Sequence, residues 1–232
     1  MNVERTSAAS HAAFGALDTG TPRTLILYGR SRGIMLSLAG VVIACTLFWW
    51  LQVWGERGEL RQAVLVQAIP ALIASIIGIS VWSPFGEPER AGARSLPRIR
   101  AVHLAVLLVP TLILAALLVS HWKPLAPNVD LVNVVFRNII GLSGVALVSG
   151  RVIDARLTWV GPLMWVAFAL IGKVLIPLND GEGVTLWDVP WWAWMAKSDV
   201  SRLAWMIAAA LGVAGAVVMC RYGPRDAAGE DE

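Results

Sequence analysis

The sequence is short of charge, of histidine and of cysteine, and each shortage excludes a class of function. Asp, Glu, Lys and Arg make up 15% of the 232 residues and hydrophobic residues 57%, against roughly 25% charged and 45–50% apolar in soluble domains. That balance places the chain in the membrane class. The two cysteines, Cys45 and Cys220, lie inside one apolar run and at the end of another. Without paired spacing they indicate neither a disulfide framework nor a metal site. The three histidines, His11, His103 and His121, fall in the N-terminal tail and at the two ends of the third apolar run. They do not converge with the cysteines into a metal site or a thiol dyad, and His103 reads as a satisfied polar residue at a helix end.

Other absences narrow the chemistry. No Gly-x-x-x-x-Gly-Lys-Ser/Thr segment is present to cradle nucleotide phosphates, so any ATP must be bound, with its Mg, by another polypeptide. No Ser/His, His/Glu or paired-acid constellation is present, so no enzyme activity and no resident cofactor is expected of this chain. No acidic residue sits deep in an apolar run, which disfavours a proton relay or a cation-coupled carrier. Internal repeats, common in secondary transporters, are not evident. The first 33 residues lack a compact apolar core ending in a small-residue cleavage site, so a removable signal peptide is not expected.

What is abundant is hydrocarbon, in six runs: Ile34–Trp54, Gln62–Trp82, Ala101–Ser120, Leu131–Gly150, Thr158–Pro177 and Leu203–Cys220. Each is about 18–21 residues, enough at about 1.5 Å per residue to cross a hydrocarbon layer about 30 Å thick. Six such runs in succession with no polar face predict an all-α integral membrane protein of six transmembrane helices. Residues 1–20, rich in Ala, Ser, Thr and Gly, read as disordered, and residues 223–232 as an acidic tail. Between the first tail and the first run, residues 21–33 place Leu25, Ile26, Leu27 and Tyr28 among Arg23, Arg30 and Arg32. That pattern suits a segment lying in the headgroup layer or an ordinary linker. Pro70, Pro110 and Pro162 fall within runs, where each removes a backbone bond and can kink a helix.

The basic residues orient the bundle. Twelve arginines collect on one side, among them Arg90, Arg94, Arg98 and Arg100 between runs two and three, against five Lys or Arg on the other. The positive-inside rule makes the first side, with both termini, cytoplasmic. Arg outnumbers Lys sixteen to three and Ala, Gly and Val abound, as in GC-rich bacterial genomes. The expected location is therefore a bacterial plasma membrane, as a multi-pass protein. No aromatic is interleaved with the arginines, so nucleic acid is not an expected partner.

Two cations enter the runs. Arg137 lies about six residues into the fourth, four after Asn133 and beside Asn138, and Lys173 is near the outer end of the fifth. An arginine at mid-bilayer costs at least about 2.5 kcal/mol, which makes a pathway or gate one reading. Snorkelling of both long stems to the outer headgroups is the other. The long outer segment between the last two runs carries Trp187, Trp191, Trp192 and Trp194 within eight residues. Indoles favour the membrane–water interface, so this segment is expected to lie along the outer face as an anchor, or to act as an aromatic lid for an amphipathic substrate.

The stretch "FGEPERAGARSLPRIR", Phe85–Arg100, is the most highly charged. Pro88 suits a first helical turn and Pro97 blocks continuation, predicting a short helix over Pro88–Leu96. Glu87 and Glu89 sit at its positive end and Arg94 near its negative end. Arg90 and Arg94, spaced i,i+4, repel each other by a few tenths of a kcal/mol. An acidic protein surface or lipid phosphate relieves that repulsion, and both readings stand.

A basic segment before six runs, a short charged cytoplasmic helix between runs two and three, and a long outer excursion before run six together resemble the permease subunit of ABC-2-type exporters. "SPFGEPER", Ser83–Arg90, is similar to small actinobacterial permeases of that kind. The resemblance implies ATPase docking by Glu87, Glu89, Arg90 and Arg94 and an outer gate at Trp187–Trp194. It also implies two ATPase chains and a second permease copy or similar subunit as partners within the lipid bilayer. An alternative of another class is a membrane scaffold or immunity protein that binds its partner through the same loop.

Overall fold

The computed structural model describes residues 33–54, 64–81, 96–120, 131–175, 194–195 and 202–223. Every regular element among them is helical. Helix α1 is Ile34–Trp54; a π-helical turn, Val64–Ala68, leads into α2, Ile69–Ser80; α3 is Leu96–Ser120; α4 is Leu131–Val152. A 3₁₀ turn, Ala155–Leu157, then precedes α5, Val160–Leu175, and α6 is Arg202–Tyr222. Each expected run thus contains one helix. Four, in α1, α3, α4 and α6, are long and apolar enough to cross a membrane. The chain is a helical membrane protein.

The outer surface explains why hydropathy alone marks these helices. On α1 the buried stripe is Val41, Ala44, Cys45 and Phe48, spaced to one face, yet the exposed side carries Met35, Leu36, Ile43, Trp49 and Trp50. A helix apolar on both its packed and its open side is suited to lipid. Exposed aromatics mark both ends of the bundle, Trp49 and Trp50 at one and Trp159 and Tyr222 at the other, as interfacial belts do.

At the centre is α4. Within its span 72% of residues are buried, against 22% for α1 and α6. Small residues allow this. Gly144 lies against the Leu211 carbonyl of α6 so closely that no Cβ would fit, and Gly215 of α6 faces the Gly144 carbonyl in the same way. Gly212 meets the Ile140 side chain. With Ala204, Ala208 and Met219 buried on the same helix, the two backbones meet along a seam of the small-residue kind favoured between membrane helices. On α4's other flank lies α2, nearly all of whose residues are buried.

The end of the bundle where α4 and α6 stop is closed by short contacts. After α4, the Asp154 carboxylate accepts from the Arg156 backbone N–H at 2.6 Å, and the buried Thr158 side chain fills the space over Gly78 and Gly150. Ser80 donates to the Ile77 carbonyl at 2.6 Å, and its Oγ pairs with His103 Nε2 at 3.1 Å. Gly223, with φ of 72°, ends α6 by donating its N–H to the Met219 carbonyl at 3.0 Å. The guanidinium of the buried Arg100 lies against it, at the negative end of the helix dipole. Arg151 sits over the Tyr222 ring, 6.0 Å from its centroid, a cation–π distance.

Several boundaries differ from expectation. Pro97 occupies the first turn of α3, which starts at Leu96; the expected short helix over Pro88–Leu96 lies, but for Leu96, outside the described residues. A proline's missing N–H has no partner at that position anyway. Arg98 and Arg100 are therefore helical residues of α3. Pro162 similarly falls in the first turn of α5, where it breaks no bond. Helix α3 continues through Pro110. Residues 82–95, which contain Glu87, Glu89, Arg90 and Arg94, lie outside the described residues, as do both tails.

The seam makes a direct prediction. Gly144→Ala must push α6 off α4, and overpacking of this kind costs about 1–3 kcal/mol or more. Gly40→Ala, whose Cβ would be 3.4 Å from the Ile76 side chain, should be near neutral. Thermal unfolding of the detergent-purified protein is the measurement: a clear drop in Tm for the first variant only is expected, and equal Tm values would remove the seam from the account.

Candidate functional site

The one extended polar cluster among the described hydrogen bonds begins with a proline. In an α-helix the N–H of residue 70 would bond the carbonyl of Val66, but Pro70 has no N–H and its ring crowds that carbonyl. The chain widens into the π-helical turn Val64–Ala68 directly before it, and the Val66 carbonyl turns to a new donor. Asn138 Nδ2 on α4 supplies it at 2.8 Å.

Asn138 makes more than this bond. Its Nδ2 also donates to the Met195 carbonyl at 3.2 Å, and Arg137 Nη2 donates to the same oxygen at 3.2 Å. Arg137 Nε donates to Asn138 Oδ1 at 3.4 Å. Arg137, Asn138, Trp194 and Met195 are all fully buried. The Trp194 ring lies on Gly141, where no Cβ would fit, and beside Ala208. One residue after Val66, the buried Gln67 leaves its Oε1 without a hydrogen-bond partner among the described residues, and Trp194 Nε1 is likewise unmatched. Such a buried group costs about 1–3 kcal/mol.

The site therefore joins α2, α4, α6 and the 194–195 turn through polar contacts in an otherwise apolar interior. It carries the positive charge of Arg137, donors aimed at a carbonyl oxygen, and the unmatched indole N–H of Trp194. Three hydroxyls elsewhere in the helices are turned on their own backbone: Ser75, Thr111 and Ser149 each donate to the carbonyl four residues earlier. This is the usual disposal of a hydroxyl in a helix. Among the described residues no group of three His, Cys, Asp or Glu side chains gathers. Beside Pro70 is a shallow apolar crevice lined by Cys45, Phe48, Ile73, Ala115 and Val135.

The residues singled out by sequence separate here. Arg137 does not reach for the outer headgroups; its side chain turns into the bundle, where the Met195 carbonyl and Asn138 receive it. Asn133, one turn earlier, is exposed. Trp194 is not an interfacial anchor but is packed beneath α4 and α6. Lys173 belongs to the last turn of α5, and its side chain lies outside the described residues. Trp187, Trp191 and Trp192, like Glu87, Glu89, Arg90 and Arg94, lie outside the described residues. Sequence reasoning missed Gln67 and gave Asn138 no role of its own. The available signal was a glutamine three residues before a proline inside an apolar run, which marks backbone in need of a donor.

No protein-family model matches the chain, and neither does any curated protein or solved structure.

The junction yields a test of its own logic. Asn138→Leu orphans the Val66 carbonyl, at a cost of about 1–3 kcal/mol. Pro70→Ala returns an N–H to that carbonyl, so it should recover about 1 kcal/mol in the Asn138→Leu background and little in the wild type. A double-mutant cycle by reversible unfolding in micelles measures the coupling; identical effects of Pro70→Ala in both backgrounds would contradict the pairing.

Proposed function

We propose that this chain is the membrane subunit of an ATP-driven exporter of the ABC-2 type, moving an amphipathic or hydrophobic substrate. It works as a pair of identical or similar six-span subunits in a bacterial plasma membrane, with both termini cytoplasmic and ATP hydrolysed on two separate partner chains. The observation that carries the reading is the buried polar junction. A bundle built only for adhesion in lipid gains nothing from burying Arg137, Asn138 and Gln67 at its centre, whereas intramembrane polar residues characteristically mark pathways and moving parts. The resemblance in layout adds to this.

In this reading the coupling segment is Phe85–Arg100, with Glu87, Glu89, Arg90 and Arg94 facing the ATPase. Because α3 begins at Leu96, displacement of that segment passes directly into a membrane helix, and the contact of Arg100 with Gly223 passes it on to α6. The seam then carries it to α4 and the junction. The two packings of the subunit must bind the closed ATPase pair with different affinity, since no equilibrium shifts without such a difference. The substrate class follows from the few fixed charges along the helices and the apolar crevice behind Pro70.

The test is biochemical. The purified chain should associate with a P-loop ATPase encoded beside it and raise that enzyme's turnover in vesicles. Replacing Glu87 and Glu89 together by Arg should leave the protein folded and hydrolysis intact but abolish substrate export. Unchanged export by that variant would remove the coupling assignment. Association through the same loop with a partner that lacks a P-loop would favour a scaffold instead.

A further inference from the structure

Five arginines gather at the end of the bundle where α4 and α6 stop. Arg98 and Arg100 lie in the first two turns of α3, Arg151 and Arg221 in the last turns of α4 and α6, and Arg156 in the 3₁₀ turn after α4. Against them stands Asp154, the one carboxylate among the described residues, whose Oδ1 accepts the Arg156 backbone N–H. The helix termini do not make up the difference. Ser80 of α2 meets His103 of α3, and Gly161 of α5 meets Ser149 of α4, so α2, α4 and α6 end here while α3 and α5 begin. Their partial charges of opposite sign largely cancel, and the excess of positive charge remains.

Three of the five arginines converge on the last turn of α6. The Arg100 guanidinium packs against Gly223, the Arg151 guanidinium lies 6.0 Å from the centre of the Tyr222 ring, and Arg221 directly precedes that tyrosine. Arg100 is buried, Arg151 half-buried, and Arg221 and Tyr222 exposed. Like charges brought together repel, and an anion seated among them removes that cost. The charge is only half of the feature. Starting from Arg221, the open face of α6 continues through Val217, Val213 and Met206, all exposed, at spacings that keep them on one side of the helix. A cationic head above an apolar stripe on the outside of a membrane helix matches a phospholipid, whereas a free phosphate or an acidic peptide has no use for the stripe.

We propose that the end of α6 is a binding site for an anionic glycerophospholipid, its phosphate held by Arg151 and Arg221 beside Tyr222 and an acyl chain laid along Val217 and Val213. Guanidinium groups meet phosphate oxygens with paired N–H donors, and basic clusters between membrane helices are where anionic headgroups lodge. A zwitterionic lipid does not serve, because its ammonium returns the positive charge that its phosphate removes. Arg100 adds to the field from beneath. Since Arg151 belongs to α4 and Arg221 to α6, a phosphate shared by the two clamps the end of the small-residue seam, so the lipid also stabilises the helix pair. The site is independent of the exporter reading.

The full chain in mixed micelles is titrated with dioleoylphosphatidylglycerol, with dioleoylphosphatidylcholine as control, and apparent affinity is read from the rise of Tm with added lipid. A saturable rise is expected for the first lipid only; equal effects of the two overturn the proposal. Replacing Arg151 and Arg221 together by Gln should weaken the apparent affinity by about ten-fold or more, the scale of two arginine–headgroup attractions. Arg202→Gln, at the opposite end of α6, and Arg156→Gln, exposed at the same end, should each change it by less than about two-fold. Equal weakening by Arg156→Gln and Arg221→Gln means diffuse basic charge and no site. Soluble sn-glycerol 3-phosphate should leave Tm unaltered, and a rise matching that of the lipid gives the arginines to a free phosphate instead. The chain's own tail supplies the last arm, since Asp226, Glu230, Asp231 and Glu232 follow α6 in sequence. With these four replaced by Asn or Gln, lipid affinity should stay as in the wild type; lipid binding seen in that variant alone assigns the arginines to the tail and overturns the lipid site.

Discussion

The hydrogen bond from Asn138 to the Val66 carbonyl is the interaction on which the arrangement of this bundle depends. In hydrocarbon no water is available to satisfy a backbone group, so every break in a helix must be repaired by protein. Pro70 makes such a break, and the repair comes from another helix rather than from a local hydroxyl. The choice fixes the register of the π-helical turn against α4, because Asn138 holds that carbonyl at 2.8 Å. It also brings Arg137, the next residue along α4, to the same depth. A charge that would be intolerable alone becomes part of a shared network in which each donor limits the positions of the others.

Small residues complete what the polar bond begins. The glycines of α4 serve two neighbours: Gly144 admits the backbone of α6, and Gly141 admits the Trp194 ring. Helix α4 can be both the most buried element and the carrier of the junction because its two flanks are specialised, one for close backbone contact and one for hydrogen bonding. A bulkier α4 would hold its neighbours at ordinary distance, and the donors of Asn138 would no longer span the gap between Val66 and Met195.

Much of the architecture was legible in the sequence, since the apolar runs mark helices without reference to their partners, and Ile34–Trp54 is helical over the residues expected. The failures have a common origin. Hydropathy records how apolar a run is and not which side faces protein, so Arg137 read equally well as a snorkelling residue and Trp194 as an interfacial one. The carbonyl that receives Arg137 is 58 positions away, a separation that no local pattern encodes. The start of α3 at Leu96 was not expected, because a proline that ends one helix and a proline that begins the next look identical from the flanking residues. The junction was half visible: Arg137 and Pro70 each stood out, but their connection through Asn138 belongs to three dimensions.

The division of the junction among segments far apart in the chain has a consequence for biogenesis. Helix α2 emerges from the ribosome well before α4, and so enters the bilayer with an acceptor whose donor has not yet been made. When α4 follows, it brings a guanidinium and an amide whose insertion is unfavourable on its own, by about 2.5 kcal/mol for the arginine at mid-helix, until the waiting carbonyl receives the amide. Of the groups that share these hydrogen bonds, the Met195 carbonyl is synthesised last. Order of synthesis thus becomes order of assembly, with each arriving segment relieved by the one already in place, and the bundle's polar centre is completed only when its final occupant is translated.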